Sequence, residues 1–420
     1  MSRPRVHFVH LPGTRLASGV NVRSRLHFRR RGTARPRRSP APEIALRLLS
    51  LLVFTWANLA VYAGVALAFA WALRGRGGSA PAHDPFVTVV VAARNEEARL
   101  PGLLRDLSAQ TYRRFEVVVV DDRSEDGTAA LVQDAAAAHP GRFRLVRQES
   151  VPPGVAPKKL ALQRGVEAGR GELVLLTDAD CRVAPTWVEG MARAFAPDVG
   201  MVLGYSELHA GPESTLFERV QAFEFLTLVT AMAGSAKLGF PLGATGHNLA
   251  FRREAFERVG GYGPGLRFPA GDDMLMLQLV RATPGPGRVA YADDPAARAR
   301  TFPEPTLRAF RNQRARWASS GMRSFRQDWR VLLYGAASLN ANLHLPLGLL
   351  WVAAGWMSAG TWAAAAVGKL GVDVLLYGHA CRRFGRTELL RYLPLWFVLQ
   401  PAYLTAMAVW GVRPRFAWKR

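Results

Sequence analysis

Three stretches of the 420-residue chain are almost free of charge, and they constrain its fold more than any motif does. Ile44–Leu73 carries only Arg47, Val331–Ala380 carries only Lys369 and Asp373, and Tyr392–Val412 carries nothing charged. About 20 apolar residues in a helix, at roughly 1.5 Å each, cross the hydrocarbon of a bilayer. The first run predicts a transmembrane or re-entrant helix over 44–73. A signal peptide would have a shorter apolar core nearer the N-terminus. Residues 331–412 predict about three spans, divided near Trp356–Thr361 and by the charged segment Cys381–Arg391. Lys369 and Asp373 stand four apart, so the spacing predicts a pair on one helix face.

Between the apolar runs the pattern changes to that of a soluble α/β domain, 86–304. Phe86–Ala92, Phe115–Val120 and Leu173–Leu176 are short, β-branched and of strand length. Glu96–Gln110, Gly127–Ala138 and Lys158–Ala168 read as the helices between them. This alternation predicts a largely parallel sheet covered by helices, whose ligands bind beyond the carboxyl ends of the strands. Residues 305–330 intersperse seven Arg with Leu307, Phe310, Trp317 and Phe325, which predicts an amphipathic helix at a membrane interface.

The net charge of +23 would suggest nucleic-acid binding, but its placement argues otherwise. Eleven Arg and no acid fall within 1–42, which with Gly, Pro and Ser predicts a basic disordered arm over 1–43; 413–420 reads as a basic tail. Fifty Arg against five Lys points to genome composition or to membrane-surface attraction before it points to phosphate contacts. Nucleic acid is therefore an unlikely partner. The two cysteines, Cys181 and Cys381, form no CxxC pair and no disulfide framework.

Four acidic clusters follow the predicted strands: Asn95-Glu96-Glu97, Asp121-Asp122, Asp178-Ala179-Asp180 and Asp272-Asp273. Taken singly, each Asp reads as readily as a helix or turn cap. Four clusters at one sheet edge read differently, because crowded carboxylates need a cation or a proton to coexist. Hard oxygen ligands without His or Cys suit Mg²⁺ or Mn²⁺, with substrate phosphates completing the shell.

In this order the chain resembles family 2 of the inverting glycosyltransferases, whose domain has the GT-A, Rossmann-like nucleotide-sugar-binding fold. The resemblance runs over about Val87–Trp317, through Ala93-Arg94-Asn95-Glu96-Glu97, Asp121-Asp122-Arg123-Ser124, the Lys158 segment and Asp178-Ala179-Asp180. It continues through Gly246-His247-Asn248-Leu249-Ala250-Phe251-Arg252, Gly271-Asp272-Asp273 and Gln313-Arg314-Ala315-Arg316-Trp317. The last element matches the Gln-x-x-Arg-Trp signature of the cellulose-synthase-like branch. Two departures stand out: Asp272 sits where that branch often has Glu, and His247 replaces a small residue.

The resemblance implies an α/β enzyme flanked by transmembrane helices, transferring a sugar from a nucleotide-sugar donor to a lipid or glycan acceptor with inversion. Asn95, Glu96 and Asp122 are expected to hold the nucleoside. Lys158, Asp178, Gln313, Arg316 and Trp317 are expected around the rest of the donor, Asp180 with Asp178 on the metal, and Asp273 as general base. A processive polysaccharide synthase, or an inactive membrane-anchored polyanion- or partner-binding protein, are the competing readings. The expected location is multi-pass in the inner cell membrane with the domain cytoplasmic. The Arg-rich arm conflicts with that placement, because the positive-inside rule would put it on the same side as the domain across a single span.

Overall fold

The computed structural model describes residues 41–75, 84–282, 285, 287–325 and 329–412. The expected basic arm and basic tail lie outside the described residues, apart from the first turn of α1. Apart from the start of α1, every described element belongs to one compact unit, Leu48–Arg420.

Helix α1 spans Ala41–Ala72. The α/β domain then runs β1 (Val87–Ala93), α2 (Leu100–Ser108), β2 (Phe115–Asp121), α3 (Thr128–Ala138), β3 (Phe143–Arg147), α4 (Pro157–Ala168), β4 (Leu173–Leu176) and β5 (Arg182–Val183). It continues with α5 (Trp187–Ala192), β6 (Val199–Gly204), β7 (Ser206–Leu208), α6 (Leu216–Lys237), β8 (Leu249–Arg252), α7 (Arg253–Arg258), α8 (Asp272–Ala282), β9 (Arg288–Ala292) and β10 (Ala299–Thr301). Four long helices close the described chain: α9 (Leu307–Phe325), α10 (Trp329–Ala353), α11 (Ala359–Phe384) and α12 (Leu393–Val412).

The main sheet has seven strands in the order β3-β2-β1-β4-β8-β6-β9. The predicted strands pair in parallel, β1 with both β2 and β4. The sheet is mixed, however: β8 runs antiparallel between β4 and β6. Val87, Val89, Val90 and Val91 are fully buried, as a strand covered on both faces requires. A second sheet, β5-β10-β7, sits beside it. The helix expected from Glu96 begins only at Leu100. Asn95 adopts φ +53°, and the backbone from Asn95 to Glu97 is instead bonded to the loop after β2.

Helix α6 starts on a capping box, in which the Thr215 hydroxyl accepts from Glu218 N while the Glu218 carboxylate accepts from Thr215 N. Its other end lies against α1: a Cβ on Gly234 would stand 2.7 Å from Phe69, so this close approach needs glycine. Phe69 of α1 and Leu73 just after it are buried in the same apolar cluster as Phe223, Phe225 and Leu226 of α6.

Among the described residues, three helical stretches are long and apolar enough to cross a membrane, Leu49–Ala72, Ala359–Phe384 and Thr387–Val412; of the three spans expected over 331–412, the first, at α10, is not one of them. The break expected near Trp356–Thr361 falls at residues 354–358, where Gly355 takes φ +72° and Ser358 Oγ accepts from Thr361 N. Lys369 and Asp373 pair as their spacing predicts, at 2.7 Å. Lys369 Nζ also donates to Asn342 Oδ1 at 2.9 Å and Gln400 Oε1 at 2.8 Å, and the Tyr62 hydroxyl donates to Asp373 Oδ1 at 2.6 Å. One buried polar network thus joins α1, α10, α11 and α12.

The end of α11 and the segment that follows it dock on the α/β domain. Arg386 Nη1 meets Glu207 Oε2 at 3.0 Å, Arg383 meets Asp293 at 2.5 Å, and Phe384 stacks on Tyr205 with centroids 4.2 Å apart.

Candidate active site

Parallel strands deliver their C-terminal residues to one edge, and β1, β2 and β4 bring three of the four acidic clusters there. The loops after β1 and β2 are stitched together. Asn95 Oδ1 accepts from Glu125 N at 2.9 Å, and Asn95 N donates to Ser124 Oγ at 3.0 Å. Glu96 N donates to Thr128 Oγ1 at 2.8 Å. The Asn95 side chain is therefore committed to shaping this loop pair. Asp122 is buried, and its Oδ1 accepts from Arg123 Nε at 2.9 Å and from Gln148 Nε2 at 2.8 Å. Gln148 follows β3, whose Phe-Arg-Leu-Val-Arg sequence is too charged and too exposed to announce a strand.

The centre of the site is a Lys158–Asp178 pair, Nζ to Oδ1 at 2.6 Å. Lys158 starts α4 and also faces Asp272 Oδ2 at 3.9 Å. Burial alone would raise the Asp178 carboxyl, but the groups around it, Lys158 foremost and Arg316 among them, together outweigh burial and hold Asp178 at about 2. Burial would likewise lower Lys158, yet Asp178 and Asp272 together raise it above its ordinary value. His247 Nε2 lies 3.6 Å from Asp178 Oδ2, and burial pushes the imidazole below its ordinary value. Its Nδ1 is buried without a partner among the described residues.

Asp273 opens α8. Its Oδ1 accepts from Met274 N at 2.7 Å and its Oδ2 from Gly246 N at 3.1 Å. Burial, then the neighbouring Asp272 carboxylate, raises Asp273 to about 7. A carboxylate poised near neutrality beside a buried cation is the pairing expected of a proton acceptor next to a leaving-group site.

Helix α9 brings in Arg316, close enough for its charge to bear on Lys158, Asp178 and His247. Trp317 packs 5.7 Å from Phe225, whose ring lies 6.0 Å from His247. Gln313 lies one turn before Trp317 on the same helix. Its Nε2 donates to Glu304 Oε1 at 2.9 Å and its Oε1 accepts from Arg314, so its amide is taken up within the helix's own surroundings.

Among the described residues, Asp180 pairs with Arg99 Nη1 at 3.3 Å, an arginine whose side chain is 53% exposed. Among the described residues, no group of three or more His, Cys, Asp and Glu converges as a ready metal site. The donor set still suits a hard cation: two carboxylates at a strand end leave coordination positions for water and phosphate oxygens, as Mg²⁺ and Mn²⁺ prefer.

Residues 83–320, more than half of the chain, match the family described as glycosyltransferase like family 2. The chain belongs to this family. Within it, the chain is similar to a beta-monoglucosyldiacylglycerol synthase of Trichormus variabilis, 25% identical over 257 residues, which are 59% of this chain and 52% of that one. It is also similar to the dolichyl-phosphate beta-glucosyltransferase ALG5C of Trichomonas vaginalis, 38% identical over 105 residues, 23% of this chain and 30% of that one. The matched parts thus span about half or less of these relatives. Among solved structures, the mannosyltransferase PcManGT of Pyrobaculum calidifontis, in complex with GDP-Man and Mn²⁺, shares the fold with TM-score 0.58. It is 22% identical and is covered over 99% of its chain, with 88% of this one.

Proposed function

We propose that this family 2 chain moves a sugar from a nucleotide-sugar donor to a lipid or glycan acceptor at a membrane, inverting the anomeric centre. The observation that carries this reading is the convergence of Lys158, Asp178, Asp273 and Arg316 at one sheet edge. Lys158 and Arg316 offer cations to a departing diphosphate. Asp273 takes the proton of the acceptor hydroxyl as that oxygen bonds to the anomeric carbon and the bond to phosphate breaks. A single in-line displacement of this kind inverts configuration. Asp122, with Gln148 behind it, faces the nucleoside, and Trp317 forms a floor for the sugars. When bound, Mg²⁺ or Mn²⁺ on Asp180 and Asp178 offsets diphosphate charge; the Mn²⁺ in the PcManGT complex supports that choice of metal class.

The lipid acceptors in the relatives' names and the three apolar helices support a membrane-bound acceptor. Docking of the basic α11–α12 segment on the domain supports a cytoplasmic domain in an inner cell membrane, since such segments favour that side. The Gln313–Trp317 element favours the cellulose-synthase-like branch and, as a second reading, a processive synthase. The test is a panel of nucleotide-sugars offered to the purified protein in nanodiscs. Metal-dependent release of nucleotide, followed by transfer of labelled sugar to a lipid fraction, is expected. Labelled product of many sugars supports the processive reading, and no release from any donor refutes both.

A further inference from the structure

Two residues that the site does not use form a buried charge pair under it. Arg314 of α9 is fully buried, and Glu224 of α6 is 1% exposed. Arg314 Nη2 and Nε donate to Glu224 Oε2 and Oε1 at 2.5 and 3.2 Å, a two-pronged contact. The Tyr403 hydroxyl of α12 donates to the same Glu224 Oε1. The guanidinium also lies against two rings of its own helix, 4.4 Å from the Phe310 centroid and 4.2 Å from that of Trp317.

A buried ion pair contributes little net stability, because desolvation offsets most of its attraction. Apolar side chains would hold α6, α9 and α12 together as well. What the pair supplies is direction: the planar guanidinium fixes the face of Trp317, and Glu224 fixes the guanidinium. The contacts then run on from Trp317 through Phe225 to His247 and Asp178. At the far end stands Tyr403, on a helix long and apolar enough to cross a bilayer.

We propose that Glu224 and Arg314 are positioning residues that hold Trp317 in register with the carboxylate cluster. Tyr403 ties that clamp to α12, so the membrane helix sets where the acceptor meets the donor. This rests on the glycosyltransferase reading. Arg314→Lys keeps the charge but loses the fork and the flat face. Tyr403→Phe removes one oxygen and keeps the ring. Because small displacements of a bound partner are expensive, transfer kcat/KM for the acceptor should fall roughly 10-fold in the first and about 3-fold in the second. Donor hydrolysis should stay within about twofold of wild type, and the double variant should lose less than the product of the two.

Parallel loss of hydrolysis and transfer, or wild-type transfer in both variants, overturns the positioning role. The same cycle on the melting midpoint in detergent needs no substrate. Independent, additive shifts there overturn the clamp whatever reaction the protein runs. Coupled shifts in a protein that uses no donor refute the glycosyltransferase reading and leave the clamp standing.

Discussion

Lys158 Nζ stands 2.6 Å from Asp178 Oδ1, so the cation at the start of α4 already has a counter-charge before any diphosphate arrives. A donor phosphate must share this lysine with Asp178 and, at 3.9 Å, Asp272. Hydrogen bonds to charged groups are worth about 1.5–3 kcal/mol, which corresponds to roughly 10- to 100-fold in affinity. Lys158→Gln should therefore weaken nucleoside diphosphate binding by at least about 10-fold in calorimetric titration. It should also lower the melting midpoint, since Asp178 and Asp272 then lose the cation they share. An unchanged Kd would remove Lys158 from the donor site.

Asp273 must be ionised to accept a proton, and it titrates at about 7. Transfer kcat/KM should therefore rise tenfold per pH unit below 7 and level off above it. Asp273→Asn should lose about 10²–10⁴-fold in turnover and show no such limb. Stability moves the opposite way. The folded state holds this proton up to about 7 while an unfolded Asp releases it near 3.8, so the stability it contributes is lost as pH rises through that window. Asp273→Asn should gain in melting midpoint relative to wild type at pH 8 and not at pH 4. A flat pH–rate profile in wild type would argue against Asp273 as base.

Asp180 contacts one exposed arginine and Asp178 is held by Lys158, so a cation can take Asp180 with little rearrangement. Chelation of divalent ions should abolish donor turnover, and Mg²⁺ or Mn²⁺ should restore it. Asp180→Ala should stay inactive in either ion. Donor turnover by Asp180→Ala in excess chelator would rule the metal role out.

Much of this site is written in the chain because strand ends are local events. Apolar β-branched runs end at Ala93, Asp121 and Leu176, and the acids that follow them land at the sheet edge. Contacts made across long loops were not legible. The resemblance implies a place for Gln313 at the donor, and it carries no sign that the amide also bonds Glu304 and Arg314. Gln148 stands behind Asp122 after an edge strand with little apolar pattern, β3. The antiparallel run of β8 has no signature, because the four residues Leu249–Arg252 carry no sign of direction. Arg314 was an unmarked position between two motif residues, and only its burial against Glu224 gives it a part.

The pair Lys369–Asp373 can be tested for the same asymmetry between pairing and burial. Lys369→Met alone leaves Asp373 buried with only the Tyr62 hydroxyl, which should cost about 3–5 kcal/mol. Lys369→Met with Asp373→Leu removes both charges and should recover most of that loss in thermal melts. A double variant as unstable as the single one would mean that the polar network, not charge neutrality, sustains the helices.

That ion pair also bears on how the protein is made. Lys369 and Asp373 lie one turn apart on α11, so this helix carries its own counterion as the ribosome delivers it. Asn342 of α10 is already in place when Lys369 emerges, whereas Gln400 follows later. Tyr62, synthesised 311 residues before Asp373, has no acidic partner until α11 arrives. The first helix is thus made long before the partner that locks it, and the Tyr62–Asp373 bond closes only once α11 has been synthesised.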